Sequence, residues 1–442
     1  MIILILSIVL IFPLQSYSWA PGTEFPCPDE PHLFDPCHCS VVSFDSVNYY
    51  SQITCSGVNG KQIKEAFHRA YHYHNISRYY DILMIKDVAL LNICCDDMLE
   101  GFRFKTIKIT DSKICVIHAN AFTSTHGQTS EIVLMDVTFT PNLVDGVQLF
   151  RVVRNFANLR GFYIITSNLE DVPANAFSLQ SNSHGNFGNQ LEVIRICNSK
   201  ITHLHDYTFT GLPRLVWIDF GDNQINRVAA HTFTLSSHQY TEAPLEISLS
   251  GNRLTSENIE PGSFDNNLTR PVTIYLNSNK LTTLSETTFE TLLRRPNYIV
   301  YVESNPFICD CRHRWLFNHK EDNMYHLKEM KCVEDGTSIW SKNLPNVCDR
   351  SRLVVEPPGV EVFRKCCRKI KYDRDHSADD HRHETHIHPL PARQVYYHPP
   401  HHHHHQQQQQ REYLIIPQQR PVREYLVQSE FVEQQQRHFK SK

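Results

Sequence analysis

Several features that would assign this sequence an activity are missing from it. Beyond the first twenty residues, no apolar stretch reaches the ~18 residues of a transmembrane helix, so no membrane span is expected. There is no strong basic excess either. The 43 Lys and Arg stand against 47 Asp and Glu, which argues against a general nucleic-acid binder. G-x-S-x-G, Walker A, H-E-x-x-H and the dinucleotide-binding glycine fingerprint are all absent, which argues against an enzyme. The chain has 442 residues, 41% hydrophobic and 20% charged. That is enough for two to four globular units or for one long repeat array.

The two ends differ from the middle. An apolar run from Ile2 to Phe12, followed by Pro13 and small polar residues, has the length of a signal-peptide core, with cleavage after Ser18 or Ala20. The alternative is an N-terminal anchor. The net charge is -9 over residues 1–349 and +5 over 350–442, so the chain changes character near 350. On the secretory reading, the 14 Cys are most simply disulfides. The sequons at Asn75 and Asn267 suit the same route as glycosylation sites.

A repeat organises the middle. The segment LVWIDFGDNQI, residues 215–225, follows L-x-x-L-x-L-x-x-N-x-L, and near-copies start at Ile247 and Ile274. Nine units begin near 80, 104, 129, 159, 191, 215, 244, 271 and 297, with a mean spacing of about 27. A second signature runs in phase, an apolar residue followed five places later by phenylalanine: Phe122, Phe177, Phe209, Phe233 and Phe289. Position 9 is Asn223, Asn252, Asn279 and Asn305 in the later units, but Val88, Ser112, Val137, Ser167 and Ser199 in the earlier ones. Each unit predicts a short strand with positions 4 and 6 inward and 3, 5 and 7 outward. Stacked units make a parallel sheet over one core, an α/β-type repeat solenoid.

Both open ends of such an array need closing. Cys27, Cys37, Cys39 and Cys55 precede it, and Cys309, Cys311, Cys332 and Cys348 follow Asn305-Pro306-Phe307. These sets resemble the cysteine-rich caps of secreted and cell-surface leucine-rich-repeat proteins, over residues 27–348. The resemblance implies a leucine-rich-repeat horseshoe with a parallel concave sheet and disulfide caps. It further implies the crossed pairings Cys27–Cys39 with Cys37–Cys55, and Cys309–Cys332 with Cys311–Cys348. Sequence alone permits three connectivities per set, and zinc ligation is the rival reading. The overall layout is also similar to arthropod secreted leucine-rich-repeat proteins like the non-catalytic subunit of oplophorus luciferase. The expected organisation is a signal peptide (1–18), an N-terminal cap and first turn (19–79), repeats (80–304), a C-terminal cap (305–348) and a disordered tail (349–442). Of the remaining cysteines, a bridge from Cys94 or Cys95 to Cys115 is expected. Cys197 falls on the concave face, Cys366 and Cys367 lie in the tail, and pairing between chains stays open.

Outward strand positions give the candidate binding residues: Val133, Met135, Tyr163, Ile165, Val193, Trp217, Tyr275 and Tyr301, with Asp219, Asp222, Glu246 and Glu303 as an acidic flank. Aromatic rings bring large contact area at low entropy cost, which suits an extracellular protein or glycoprotein partner. The tail, rich in His, Gln and Pro and containing HHHHHQQQQQ at 401–410, cannot bury enough apolar surface to fold. His381, His383, His386 and His388 miss the H-E-x-x-H spacing. They read as a solvated linker, with weak, exchangeable Zn or Cu binding as the alternative. Otherwise no cofactor is expected.

Overall fold

The structure is a computed structural model and describes residues 27–350 apart from 44–48, 75, 179, 183–184, 236–238 and 266–267. The expected signal peptide, Asn75, Asn267, Cys366, Cys367 and the tail with His381, His383, His386 and His388 lie outside the described residues.

Alternation makes the strands. Leu245 and Ile247, Val272 and Ile274, and Tyr298 and Val300 are buried, while Glu246, Ser248, Thr273, Tyr275, Ile299 and Tyr301 face outward, half-exposed. The chain starts with the antiparallel hairpin β1 (His38–Ser43) and β2 (Tyr49–Ser56), then α1 (Gly60–Tyr71). Next come β3 (Tyr79–Lys86), β4 (Leu91–Ile93), β5 (Arg103–Thr110), β6 (Lys113–Ile117) and β7 (Glu131–Phe139). They are followed by α2 (Val147–Val153), β8 (Gly161–Ser167) and the hairpin β9 (Gln180–Asn182) with β10 (Gly185–Phe187). Then β11 (Val193–Cys197), β12 (His203–Leu204), β13 (Trp217–Asp219), β14 (Arg227–Val228), β15 (Leu245–Ser248) and β16 (Val272–Tyr275) follow. The last elements are α3 (Glu286–Leu293), β17 (Tyr298–Tyr301), α4 (Lys320–His326), β18 (Leu327–Lys328) and α5 (Leu344–Arg350).

One sheet joins them in the order β1-β2-β3-β5-β7-β8-β11-β13-β15-β16-β17-β18. It is parallel everywhere except between β1 and β2. The parallel run therefore extends one strand past the nine repeats at each end: β2 belongs to the N-terminal cap and β18 to the C-terminal cap.

Every unit bends at a left-handed residue at position 8, at or near the end of its strand and within β7 and β8. These are Asp87, Asp111, Asp136, Thr166, Asn198, Asp222, Gly251, Ser278 and Ser304, with φ between 48 and 69°. Short polar side chains and glycine tolerate this conformation best, which explains the composition of the column. The same column fixes the register of the early, degenerate repeats. One place on, Asn252 donates to the carbonyls of Phe220 and Leu249, both at 2.9 Å, and accepts the Ile225 N–H at 2.9 Å, stitching two coils together. Asn223, Asn279 and Asn305 do the same. In the earlier units Ser112 accepts the Val88 N–H at 3.1 Å, and Ser167 and Ser199 bond each other at 2.8 Å. Val137 offers no such group. There β7 runs on to pair with β6, and the Asn168 side chain bonds both backbone groups of Phe139.

The phenylalanine signature forms a buried spine. Phe177, Phe209, Phe233 and Phe264 stack in sequence with centroids 5.2–5.7 Å apart and planes within 6°. Phe264 is a member that the sequence pattern did not include.

At the ends, Cys27–Cys39 and Cys37–Cys55 close the first coil, and Cys309–Cys332 and Cys311–Cys348 close the last. Helix α1 opens with a capping box between Asn59 and Gln62 and buries Ile63, Ala66, Phe67 and Ala70. At Gly60 a Cβ would lie 1.7 Å from the Asn92 carbonyl oxygen, so only glycine lets the helix start this close to the next coil.

Candidate functional site

Parallel register turns the outward positions into rows that cross the strands. Glu131, Gly161, Val193, Trp217, Glu246, Thr273 and Ile299 form one row. Lys108, Val133, Tyr163, Arg195, Asp219, Ser248, Tyr275, Tyr301 and Lys328 form the next. Thr110, Met135, Ile165 and Cys197 form a third.

The site expectations fare unequally here. Trp217, Tyr163, Tyr275, Tyr301 and Glu246 are half-exposed on the face. Val133, Met135 and Ile165 also point outward but are buried, at 4%, 3% and 3% exposure, because neighbouring side chains close over them. They do not form an open apolar strip. At Gly161 the lack of a side chain leaves room for the Tyr163 ring, whose nearest carbon would lie 2.6 Å from a Cβ there. Tyr275 and Tyr301 stack at 5.2 Å with planes 18° apart.

The acidic flank is corrected at Asp219. Asp219 is only 9% exposed and accepts from Arg195 Nε at 3.1 Å and from the Gly221 N–H at 2.9 Å, so its charge is spent within the sheet. Asp222 is exposed, but it is the left-handed turn residue that follows the strand. Glu303 is likewise exposed just past β17. Glu246 sits across from Trp217 on the adjacent strand. With Lys108 and Lys328 on the middle row, the face carries mixed charge.

Arg195 is the residue that the sequence reading passed over. Its guanidinium carbon stands 4.8 Å from the centre of the Trp217 ring while its Nε holds Asp219. The signal was available: Arg195 occupies position 5 of its unit, and register places it directly beside Asp219. The result is a fixed Trp–Arg–Asp cluster on β11 and β13. The tyrosine pair on β16 and β17 begins two strands away from β13, about 10 Å.

Cys197, on β11 at an outward position, is covered enough that burial pushes its thiol up to about 11. It is protonated at neutral pH. The expected bridge from Cys94 or Cys95 to Cys115 is not formed. Cys115 Sγ lies 2.9 Å from Asn92 Oδ1 and 3.1 Å from the Leu91 carbonyl, while Cys94 and Cys95 face each other. Consecutive residues Cys94 and Cys95 sit where the chain turns after β4, and that turn directs their sulfurs at one another. Among the described residues no helix is long and apolar enough to cross a membrane.

Comparison with known proteins adds to this geometry. The family described as "Leucine rich repeat" matches residues 189–237. No curated protein matches the sequence. Among solved structures, the chain is similar to TLR13 in a complex with ssRNA13, at 17% identity and a TM-score of 0.42, over 58% of this chain and 32% of that one. It is also similar to a chain of the octameric complex of Latrophilin 3, Unc5D and FLRT2, at 12% identity and a TM-score of 0.31, over 61% of this chain and 90% of that one. Human 5T4, or trophoblast glycoprotein, is similar at 13% identity and a TM-score of 0.33, over 66% of this chain and 92% of that one. In fold, the chain is a leucine-rich-repeat solenoid closed at both ends by disulfide caps.

Proposed function

We propose that this is a secreted, non-catalytic binding protein that seats an extracellular protein or glycoprotein on its concave sheet. The observation that carries the reading is the Arg195–Trp217 cluster, where a large ring is held on a rigid strand by a guanidinium that is itself pinned by a buried carboxylate. A ring fixed before contact loses little entropy on binding, and Trp, Tyr and Arg are the residues that most often dominate binding energy. The tyrosine pair extends the contact along the sheet, and Glu246 and Glu303 add polar groups at its margin. Four disulfides at the caps suit an oxidising compartment. Matrix assembly, recognition and escort of a secreted enzyme are all uses of such a platform.

The test is affinity capture from native extracellular fluid with the full chain, compared with Trp217→Ala, Tyr275→Ala and, away from the face, Tyr207→Ala. The reading expects a partner held by wild type and Tyr207→Ala and lost or weakened with the two face variants. Equal recovery by all four would sink it.

A further inference from the structure

Two histidines and an aspartate meet where the chain descends from the concave sheet. Asp171 lies two residues after Leu169 and His203 two residues after Ile201, equivalent places in successive coils. His203 starts β12, and Leu204 between the histidines is buried. Alternation therefore sends His203 and His205 to the same outer side. His205 Nε2 lies 3.0 and 3.2 Å from the two Asp171 oxygens, and His203 Nε2 lies 3.8 Å from Oδ1. The three donor atoms are all within 4.8 Å of one another.

The surroundings favour a cation other than a side chain. Arg227, beside His203 in the β12–β14 pairing, turns instead to Glu260, donating from Nε at 2.8 Å. Among the described residues, the ion-pair partners of Asp171 are the two histidines. Their rings lie 4.3 Å apart, close enough for both to face one ion. Two imidazole nitrogens and one carboxylate oxygen are a donor set that a divalent transition ion takes. His203 Nδ1 is bonded to Thr202 Oγ1 at 2.9 Å, which orients the ring and leaves Nε2 toward Asp171. A tetrahedral zinc ion with bonds of about 2.05 Å spaces its donors by about 3.3 Å, against 3.0 and 3.8 Å for the two histidine–aspartate pairs and at most 4.8 Å across the set. Two nitrogen donors exclude calcium and magnesium as the preferred ion. The other close set, Cys309, Cys332 and Glu334, has both sulfurs committed to a disulfide.

We propose that Asp171, His203 and His205 form a zinc-class metal site on this flank of the solenoid. Three protein donors, all about one-third exposed, leave the fourth position to water or to a group from a partner. Its three residues are distinct from the outward strand rows and from the tail histidines named in the sequence.

The test uses the full chain and ZnCl2 alone, read residue by residue, because the tail histidines can also take up metal. Histidine modification by diethyl pyrocarbonate is followed by peptide mass spectrometry at His203, His205, the tail and His231 as a control. Zinc at about ten times its Kd slows modification of His203 and His205 by about tenfold and leaves His231 unchanged. Asp171→Asn raises the zinc concentration needed by about tenfold or more. His203→Gln provides a second variant, and a urea midpoint for each checks that it folds. Unchanged rates at His203 and His205 while the tail is protected would overturn the proposal. So would equal protection in wild type and Asp171→Asn.

Discussion

The Arg195 guanidinium carbon stands 4.8 Å from the centre of the Trp217 ring, across two neighbouring parallel strands. The same guanidinium holds Asp219, so ring, cation and buried carboxylate form one unit. Replacing Arg195 by Met leaves the Asp219 carboxylate, 9% exposed, with the Gly221 N–H. We expect a loss of about 1–3 kcal/mol. A double-mutant cycle of Arg195→Met with Asp219→Asn should show a coupling of about 1 kcal/mol or more in urea unfolding. A coupling near zero would mean that the pair behaves as an ordinary surface contact.

Thr166 is the β-branched residue in the left-handed column, at φ 59°. Asparagine and glycine suit that conformation better. Thr166→Asn is therefore expected to stabilise the fold by about 0.5–1 kcal/mol, seen as a higher urea midpoint with unchanged slope. Loss of stability would show that the 3.1 Å bond from Asn198 Nδ2 to Thr166 Oγ1 outweighs the backbone gain.

His313 is fully buried, and its Nε2 accepts the Leu284 N–H at 3.2 Å. Burial holds its pKa down at about 4, against 6.5 in an open chain. Between these values the unfolded state binds the extra proton. The contribution of neutral His313 is whole above about pH 6.5 and is lost as pH falls toward 4, by an amount on the order of 3 kcal/mol. His313→Gln removes the titration. Its urea midpoint should fall less than that of wild type between pH 7 and 5, and parallel curves would refute this assignment.

Cys197 offers a check on the packing of the face. With its thiol pushed up to about 11, its thiolate fraction at pH 8 is about a hundredfold below that of a free cysteine. Iodoacetamide should label it slowly in the folded protein and readily in urea. Rapid labelling in the folded state would mean that the strand is open there.

Much of the fold was legible because two periodic features, the strand alternation and the phenylalanine, ran in phase. The cap cysteines marked both ends, but the pairing came from resemblance and not from spacing. The early repeats were harder, since Val88 and Val137 replace the asparagine, and the added pairing of β4 with β6 and of β6 with β7 ties those coils instead. The left-handed column would have fixed their register. It is not legible in sequence because Asp, Asn, Ser, Thr and Gly look interchangeable until backbone angles are known. The site was only half legible. Alternation tells which way a side chain points, not whether neighbours cover it, so Met135 and Trp217 looked alike in sequence and differ in exposure. Arg195 acquires its role only from the next strand, through contacts that no single repeat contains.

The most direct measurement is the Kd of the captured partner for wild type, Trp217→Ala and Tyr207→Ala, all as full-length folded protein. If the concave face carries the binding, Trp217→Ala weakens it by about 2 kcal/mol or more, some thirtyfold, and Tyr207→Ala leaves it unchanged. Equal Kd values for wild type and Trp217→Ala would contradict the account.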